Sequence, residues 1–465
     1  MAVFSAKDEK FRQYALTAPP IKVIFTVCAP LALYQALHQI FSILDTLMAS
    51  YIGADAVSAV ACLSQITLMI TAIGSGLAVG GSIRISEAYG KGDYDLVRRR
   101  VATVYAMAIL VSIVVAITLI PFAEPFLRLL RTPDDLIKTG AGYFRVQILS
   151  LIISFFNTVY IAIERSRGHA KKILALNLAT IGVKLALSAV AVYVIKGGLI
   201  LIAAATLAGQ ILILSYALLS MPRDEGAFRF SFRNIHLKRQ TVSPIVNLSY
   251  PVSAEKILFA AGKVIVNSMS GRYGSLTVGA LGISNNIGGF TTSWHGGFTD
   301  GAAPLISQNR GAGKYRRTLQ IYAALLAIDI FIGLTGLILV SQGLPWLAGI
   351  FANSENNFDP VFRDMIIAIH RWEMLGYITL GINSATIALL LGYGYTKFTM
   401  LLNVTRVFLF RVPVLWALQN FTDIGVEAVG MTMMVSNVCT GLTAILIAIP
   451  VIRKIRQSIH KEEAP

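Results

Sequence analysis

Cysteine and acidic side chains are scarce in this sequence: 465 residues hold three cysteines and 24 Asp and Glu against 40 Lys and Arg. Cys28, Cys62 and Cys439 all fall within apolar runs, which excludes a disulfide framework or a CxxC metal pattern and leaves them as small core residues. The phosphate-binding motif GxxxxGK[ST] is missing, because Gly90-Lys91 and Gly313-Lys314 continue with Gly and Tyr where Ser or Thr is required. HExxH and GxSxG are absent too, so the usual metalloprotease and serine hydrolase readings have no support. A cleavable secretory leader is not expected either. The first apolar run follows the charged opening MAVFSAKDEKFRQYALTAPP, is too long, and lacks a small-residue cleavage site.

What the chain has in excess is apolar length. Hydrophobic residues make up 55% of it and the mean hydropathy is +0.67, far outside the soluble globular range. About twelve apolar segments recur, near 21–50, 56–81, 101–121, 141–163, 173–195, 198–221, 246–270, 276–304, 318–341, 364–391, 398–419 and 425–452. Each is long enough to cross a hydrocarbon core about 30 Å thick. The formal net charge of +16 does not imply nucleic acid, because of where the basic residues lie. They crowd one set of loops, at 98–100, 165–172, 229–239, 310–317 and 453–456, while the opposite loops hold chiefly Arg128, Arg131, Lys138, Lys196 and Arg272. That asymmetry predicts both termini on the cytoplasmic side.

Sliding the sequence against itself by 221 positions, without a gap, pairs Pro30 with Pro251, Gly53 with Gly274, Gly76 with Gly297, Gly80 with Gly301, Gly90 with Gly311 and Gly92 with Gly313. Prolines and glycines set backbone geometry and close helix approach, the properties a duplicated unit retains while its side chains diverge. Six spans per half give both halves the same orientation. The expected fold is therefore an all-α integral membrane protein, with twelve transmembrane helices in two pseudo-symmetric six-helix lobes and a path between them. The divisions are 1–20 as an N-terminal segment, 21–221 and 246–453 as lobes, 222–245 as a cytoplasmic linker and 454–465 as a tail.

Polar stripes run along several spans. Gln35, His38, Ser42 and Asp45 share one face of the first, Gln147, Ser150, Ser154 and Asn157 one face of the fourth, and Lys256, Lys263, Asn267 and Ser270 one line of the seventh. Neutral members serve equally well as hydrogen bonds between helices. An ionised Asp45 is a stronger sign, since a mid-span charge costs roughly 2.5–3.5 kcal/mol on insertion scales, and its position in the other half is Val266. His38, seven residues earlier on the same face, is a candidate for assisting proton movement. In the second half, Glu255, Lys256, Lys263, Asp300, Glu373, Arg406 and Arg411 either pair between neighbouring spans or form a charged cavity wall. His38, His295 and His370 are too scattered for a metal site. Phe298, Trp294 and Met269 suit an adaptable apolar cavity or ordinary packing.

The segment LDTLMASYIGADAVSAVA, then GLAVGGSIRISEAYGKGDYDLVRR, its counterpart GFTDGAAPLISQNRGAGKYRR, and RVFLFRVP together resemble the multidrug and toxic compound extrusion (MATE) family across essentially the whole chain. The resemblance implies export of organic cations and other xenobiotics in exchange for H⁺ or Na⁺. It also implies that Asp45 matches the first-span carboxylate used in cation coupling, and that Thr206 lies near that site. One departure stands out: where the family often has an NxxLD pattern in the fifth span, TIGVKLALSAV places Lys184 and Ser188. An ammonium beside a single carboxylate leaves no net negative charge for Na⁺, which favours H⁺; the alternative is a fixed structural bridge between Asp45 and Lys184, with coupling moved to the charged spans of the second half. The expectation is a monomeric, multi-pass plasma-membrane antiporter for small amphipathic molecules, with no cofactor, no metal and no nucleic-acid partner. The rival readings are a flippase for a lipid-linked anionic substrate and a non-transporting membrane scaffold or enzyme.

Overall fold

The computed structural model describes residues 6–50, 54–122, 125, 134–197, 199–221, 226–354 and 357–463, without the side chains of 6–7, 42–50, 54–66, 134–141, 199, 353–354, 357–358 and 461–463. Among the described residues the chain is helical apart from turns and one two-residue antiparallel pairing of Asn353–Ser354 with Asn357–Phe358. A short helix, Ala6–Thr17, precedes the spans. Spans 1 to 6 are Pro20–Ser50, Ala54–Lys91, Tyr94–Leu119, Asp134–Ser166, Ala170–Val194 and Leu199–Ser220. Spans 7 to 12 are Arg239–Ser270, Ser275–Gly311, Tyr315–Ala352, Pro360–Gly392, Thr396–Phe421 and Glu427–Glu463. The twelve-span, all-α expectation holds.

Ten of these are apolar enough to cross a membrane on composition alone; spans 7 and 8 are equally long but carry more polar residues. Their polarity foreshadows where the chemistry sits. Large apolar side chains such as Leu110, Ile117, Phe331, Leu339 and Leu446 are more than half exposed. Such a belt is untenable in water and is the surface a bilayer covers.

Span 2 runs to Lys91, ten residues beyond its apolar stretch. Glu87 supports the added turns by pairing with Arg84 at 3.0 Å and Lys91 at 3.3 Å, the i,i+3 and i,i+4 spacings that face each other on a helix. Gly92 then ends the helix with φ +78°, and the amide of Asp93 reaches back to the carbonyl of Ala88 at 3.1 Å. Gly313 does the same after span 8 with φ +75°, and Lys314 N–H donates to Asn309 O at 2.9 Å. Left-handed backbone at a helix end is where glycine is nearly obligatory. The 221-residue spacing is thus a repeated piece of backbone geometry.

The other repeated glycines mark helix crossings. A Cβ on Gly76 would lie 2.7 Å from Ser249 O and overlap the Ser253 hydroxyl, and one on Gly80 would lie 2.9 Å from Ser249 N. In the second half, a Cβ on Gly297 would overlap the backbone of Ala32, and one on Gly301 would meet Cys28 Cα at 3.0 Å. Cys28 and Ala32 are the 221-residue equivalents of Ser249 and Ser253. The second helix of each half therefore packs on the first helix of the other half, and lipid-embedded helices approach this closely only where side chains are small.

Two compact units result. One comprises Met1–Ala18, Ile40–Ile257 and Gly311–Gly313; the other comprises Pro19–Gln39, Leu258–Arg310 and Lys314–Pro465. Spans 1 and 7 each pass from one unit into the other. The first unit is packed around Tyr89, Tyr105, Tyr160, Val101 and Ile163, onto which Phe228 closes. The second is packed around Val266, Leu281, Ile366, Leu415 and Met433, with Met269 against them.

Candidate functional site

In the first unit a polar group lies where spans 4, 5 and 6 pack pairwise. Asn157 is buried on span 4, and its Nδ2 donates to both Gln210 Oε1 and Gln210 O of span 6 at 2.8 Å. Thr206, one turn before Gln210, donates to Ile202 O at 3.2 Å. Gly209 lets span 5 approach: a Cβ there would lie 3.0 Å from Thr180 Cγ2 and 3.7 Å from Lys184 Cβ. Lys184 is half-buried and Ser188 fully buried one turn later. Ser188 Oγ and Asn157 Oδ1 have no hydrogen-bond partner among the described residues. The side chains of Ser42 and Asp45 lie outside the described residues. His38 belongs to the second unit, where it is exposed and edge-on to Tyr34 at 5.8 Å.

The charged residues expected in the second half divide among three places. Glu255 and Lys256 belong to the first unit, where Lys256 Nζ donates to Ser75 Oγ of span 2. Asp300, half-buried on span 8, accepts from Gln35 Nε2 at 3.4 Å. Lys263, Glu373, Arg406 and Arg411 come together, within electrostatic reach of one another. Glu373 ends a hydrogen-bonded chain: Tyr377 OH stands 2.8 Å from His370 Nε2, His370 Nδ1 2.8 Å from Ser284 Oγ, and Ser284 donates to Glu373 Oε2 at 2.5 Å. With Ser284 donating to the carboxylate, the chain is consistent when His370 carries its proton on Nδ1 and accepts from Tyr377. Arg406 and Arg411 instead turn to Asn437 and Ser436 of span 12. Trp294 is half-buried, whereas Phe298 is buried and edge-on to Phe25 at 6.1 Å, so it packs span 8 against span 1.

Two further constellations were not anticipated. Asp329 of span 9 is fully buried with its Oδ1 2.8 Å from His295 Nδ1, while Asp329 Oδ2 and His295 Nε2 find no partner among the described residues. Span 10 closes over the pair, since a Cβ on Gly381 would lie 2.5 Å from Asp329 O and 3.0 Å from His295 Cε1. In the first unit, a cavity of about 200 Å³ is lined by Tyr160, Glu164, Arg167, His169, Lys172 and Phe228, among others. Its charges are mutually paired: Arg167 with Asp8 at 3.0 Å and Glu164 at 3.4 Å, and Glu164 with Lys172 at 3.1 Å and His169 at 2.6 Å.

No metal-ligand group of three or more His, Cys, Asp or Glu occurs among the described residues. What the arrangement provides is polar surface on several spans and cations held inside the bundle. The MatE family profile matches the chain twice, over residues 30–190 and again over 251–417, so the two matches begin 221 residues apart. The chain belongs to the MatE family. It is therefore a membrane transporter and not an enzyme.

This MatE chain is 21% identical over 408 residues to the probable multidrug resistance protein YoeA of Bacillus subtilis, covering 86% of this chain and 87% of that one. It is 23% identical over 458 residues to the FAD transporter of Shewanella oneidensis, covering 94% and 96%. Its fold matches an outward-facing multidrug resistance MATE family transporter with a TM-score of 0.91 at 18% identity, over 98% of this chain and 100% of that one.

Proposed function

We propose that this MatE transporter exports small amphipathic xenobiotics or metabolites by alternating access, driven by an inward flow of protons. The lobes are 21–221 and 246–453, the protein is a monomer in the plasma membrane, and both termini face the cytoplasm because the basic loops lie on that side. The multidrug assignment carried by YoeA supports the substrate class.

The observation that carries proton coupling is Lys184, half-buried in span 5 one turn before Ser188, the position at which the family resemblance implies a second carboxylate. A site holding one carboxylate, one ammonium and the hydroxyls of Ser188 and Thr206 offers Na⁺ neither net negative charge nor several anionic oxygens. A proton needs no such coordination: neutralising Asp45 breaks the pair and releases the ammonium, against the pull by which that ammonium favours the charged carboxylate. His38, on the stripe that leads to Asp45, assists the transfer.

Dye flux in proteoliposomes tests this, using one cationic and one anionic dye under an imposed pH gradient or an imposed Na⁺ gradient. The pH gradient alone drives flux in the wild type, and Asp45→Asn and Lys184→Ala each lower it at least tenfold. Flux driven by Na⁺, or flux that survives in Asp45→Asn, overturns the proton reading. A lipid-linked anionic substrate is the second reading, favoured by the arginine pair of span 11 and in keeping with the Shewanella relative named as an FAD transporter.

A further inference from the structure

Span 11 changes its hydrogen-bonding pattern at its two arginines. Arg406–Arg411 form a π-helical turn between α-helical Thr396–Thr405 and Val412–Phe421. In an α-helix, positions five residues apart point about 140° away from each other. The wider turn, closed by i to i+5 bonds, brings them towards one face, and such turns concentrate at functional sites. The contacts agree: Arg406 and Arg411 both donate to Asn437 Oδ1, at 2.7 and 3.4 Å, and Arg411 Nε donates to Ser436 Oγ at 3.2 Å. Two guanidiniums thus share one neutral oxygen.

A third cation joins them. Gly262 of span 7 abuts Val407 of the π turn so closely that a Cβ would overlap it. The next residue, Lys263, keeps an accessible side chain. Its Nζ lies 5.7 Å from the centroid of the Phe259 ring, and Arg406 Cζ lies 5.5 Å from the same ring. Among the described residues, Glu373 is the carboxylate whose charge reaches Lys263, Arg406 and Arg411 alike. Its Oε2, however, is already held by Ser284 at 2.5 Å and lies 3.6 Å from His370 Nδ1.

Three cations therefore answer to one carboxylate inside the bundle. Two donors are also left over: Arg406 Nε and Asn437 Nδ2 are buried without an acceptor among the described residues, and Asn437 is fully buried. Buried donors and like charges are both costly when left unanswered. A water satisfies a donor but brings no charge, whereas an oxyanion does both and matches the planar fork of arginine. We propose that Lys263, Arg406 and Arg411 form a recognition site for a phosphate-type oxyanion carried by an amphipathic substrate, with the Phe259 ring beside the headgroup. Calling that molecule a substrate rests on the transporter reading; the site itself does not.

Two amphiphiles with the same tail and opposite heads, octyl phosphate and octyltrimethylammonium, test the site by calorimetric titration of the full chain in nanodiscs of zwitterionic lipid. Octyl phosphate binds at least tenfold more tightly, added salt weakens it, and Arg406→Gln and Lys263→Gln each reduce its affinity at least fivefold while Arg363→Gln leaves it unchanged. Glu373→Gln moves the other way, raising affinity severalfold by removing the competing negative charge, and so informs even if an arginine variant fails to fold. Tighter binding of the cationic amphiphile, or octyl phosphate affinity unchanged in Arg406→Gln and Lys263→Gln, overturns the proposal. Two competitors separate the sources of the oxyanion. Loss of octyl phosphate binding in nanodiscs doped with phosphatidic acid identifies a bilayer headgroup as occupant and overturns an exported substrate, while competition by inorganic phosphate at millimolar levels without loss in doped discs supports it. If neither amphiphile is transported in liposomes yet octyl phosphate still binds, the reading of the bound amphiphile as an exported substrate fails and the anion site stands.

Discussion

The two halves of this transporter share their backbone punctuation and differ in how they treat charge. Gly76, Gly80 and Gly92 have structural twins in Gly297, Gly301 and Gly313, each doing the same work at a crossing or a helix end. Around the first unit's cavity, every charge has an opposite beside it: Glu164 is surrounded by Arg167, His169 and Lys172, and Arg167 is answered again by Asp8. In the second unit, Arg406 and Arg411 hydrogen-bond to the neutral groups of Asn437 and Ser436. A compensated cluster is a fastening, and this one ties the Ala6–Thr17 helix to span 4 and the turn after it. A cluster with charge to spare is built to receive something.

The backbone side of the comparison breaks most readily at the crossings. Gly297→Leu drives a side chain into the Ala32 main chain and is expected to destabilise the protein by about 3 kcal/mol or more, seen as loss of a monodisperse peak after extraction. Alanine at Gly297 and at the equivalent Gly76 sharpens the contrast. Gly297→Ala overlaps the Ala32 backbone, whereas Gly76→Ala meets first a serine hydroxyl that can turn aside and backbone no nearer than 2.7 Å, so the former lowers Tm further. Next comes the buried Asp329–His295 pair. Asp329→Ala strands His295 and costs about 3 kcal/mol, while the double replacement of Asp329 and His295 by Leu recovers most of that loss in the same unfolding assay.

A smaller effect is expected in the compensated cluster. Asp8→Ala removes a buried partner of Arg167 and costs about 2 kcal/mol, read as faster proteolysis within residues 6–17 with the spans intact. The smallest comes from the exposed pair of Arg363 with Asp364, where Arg363→Ala changes stability by less than about 0.5 kcal/mol. An equal loss from Asp8→Ala and Arg363→Ala would remove the distinction between a fastening and a surface contact.

Much of the fold was legible because apolar length and glycine register are properties of the sequence itself. The 221-residue repeat identified Gly76, Gly80, Gly297 and Gly301, but it could not say that each packs on the first helix of the opposite half, since a crossing partner is set by three-dimensional packing. Lys263, Glu373, Arg406 and Arg411 were legible as expensive intramembrane charges, but their grouping was not, because depth counted along each span places Arg406 with Glu255 and Asp300. The neutral partners, Asn437 and Ser436, carried no such signal, and Glu255, Lys256 and Asp300 shared the signal while lying elsewhere. Asp329 is the instructive omission. It is the lone carboxylate in the apolar stretch LLAIDIFIGL, the same sign that singled out Asp45, and only its partner His295 drew notice. Gln210 was similarly readable as a lone amide in span 6.

The π turn of span 11 means that the arginine pair is encoded by a count of residues as well as by their identity. Deleting one residue between 407 and 410 would let the turn relax to an α-helix with its ends four apart and still on one face, whereas a regular α-helix at the present spacing of five would turn Arg411 about 140° away from Arg406. A relative with two arginines four apart in a regular α-helix therefore presents nearly the same pair, while one that keeps the spacing of five without the π turn holds the same letters in a different geometry.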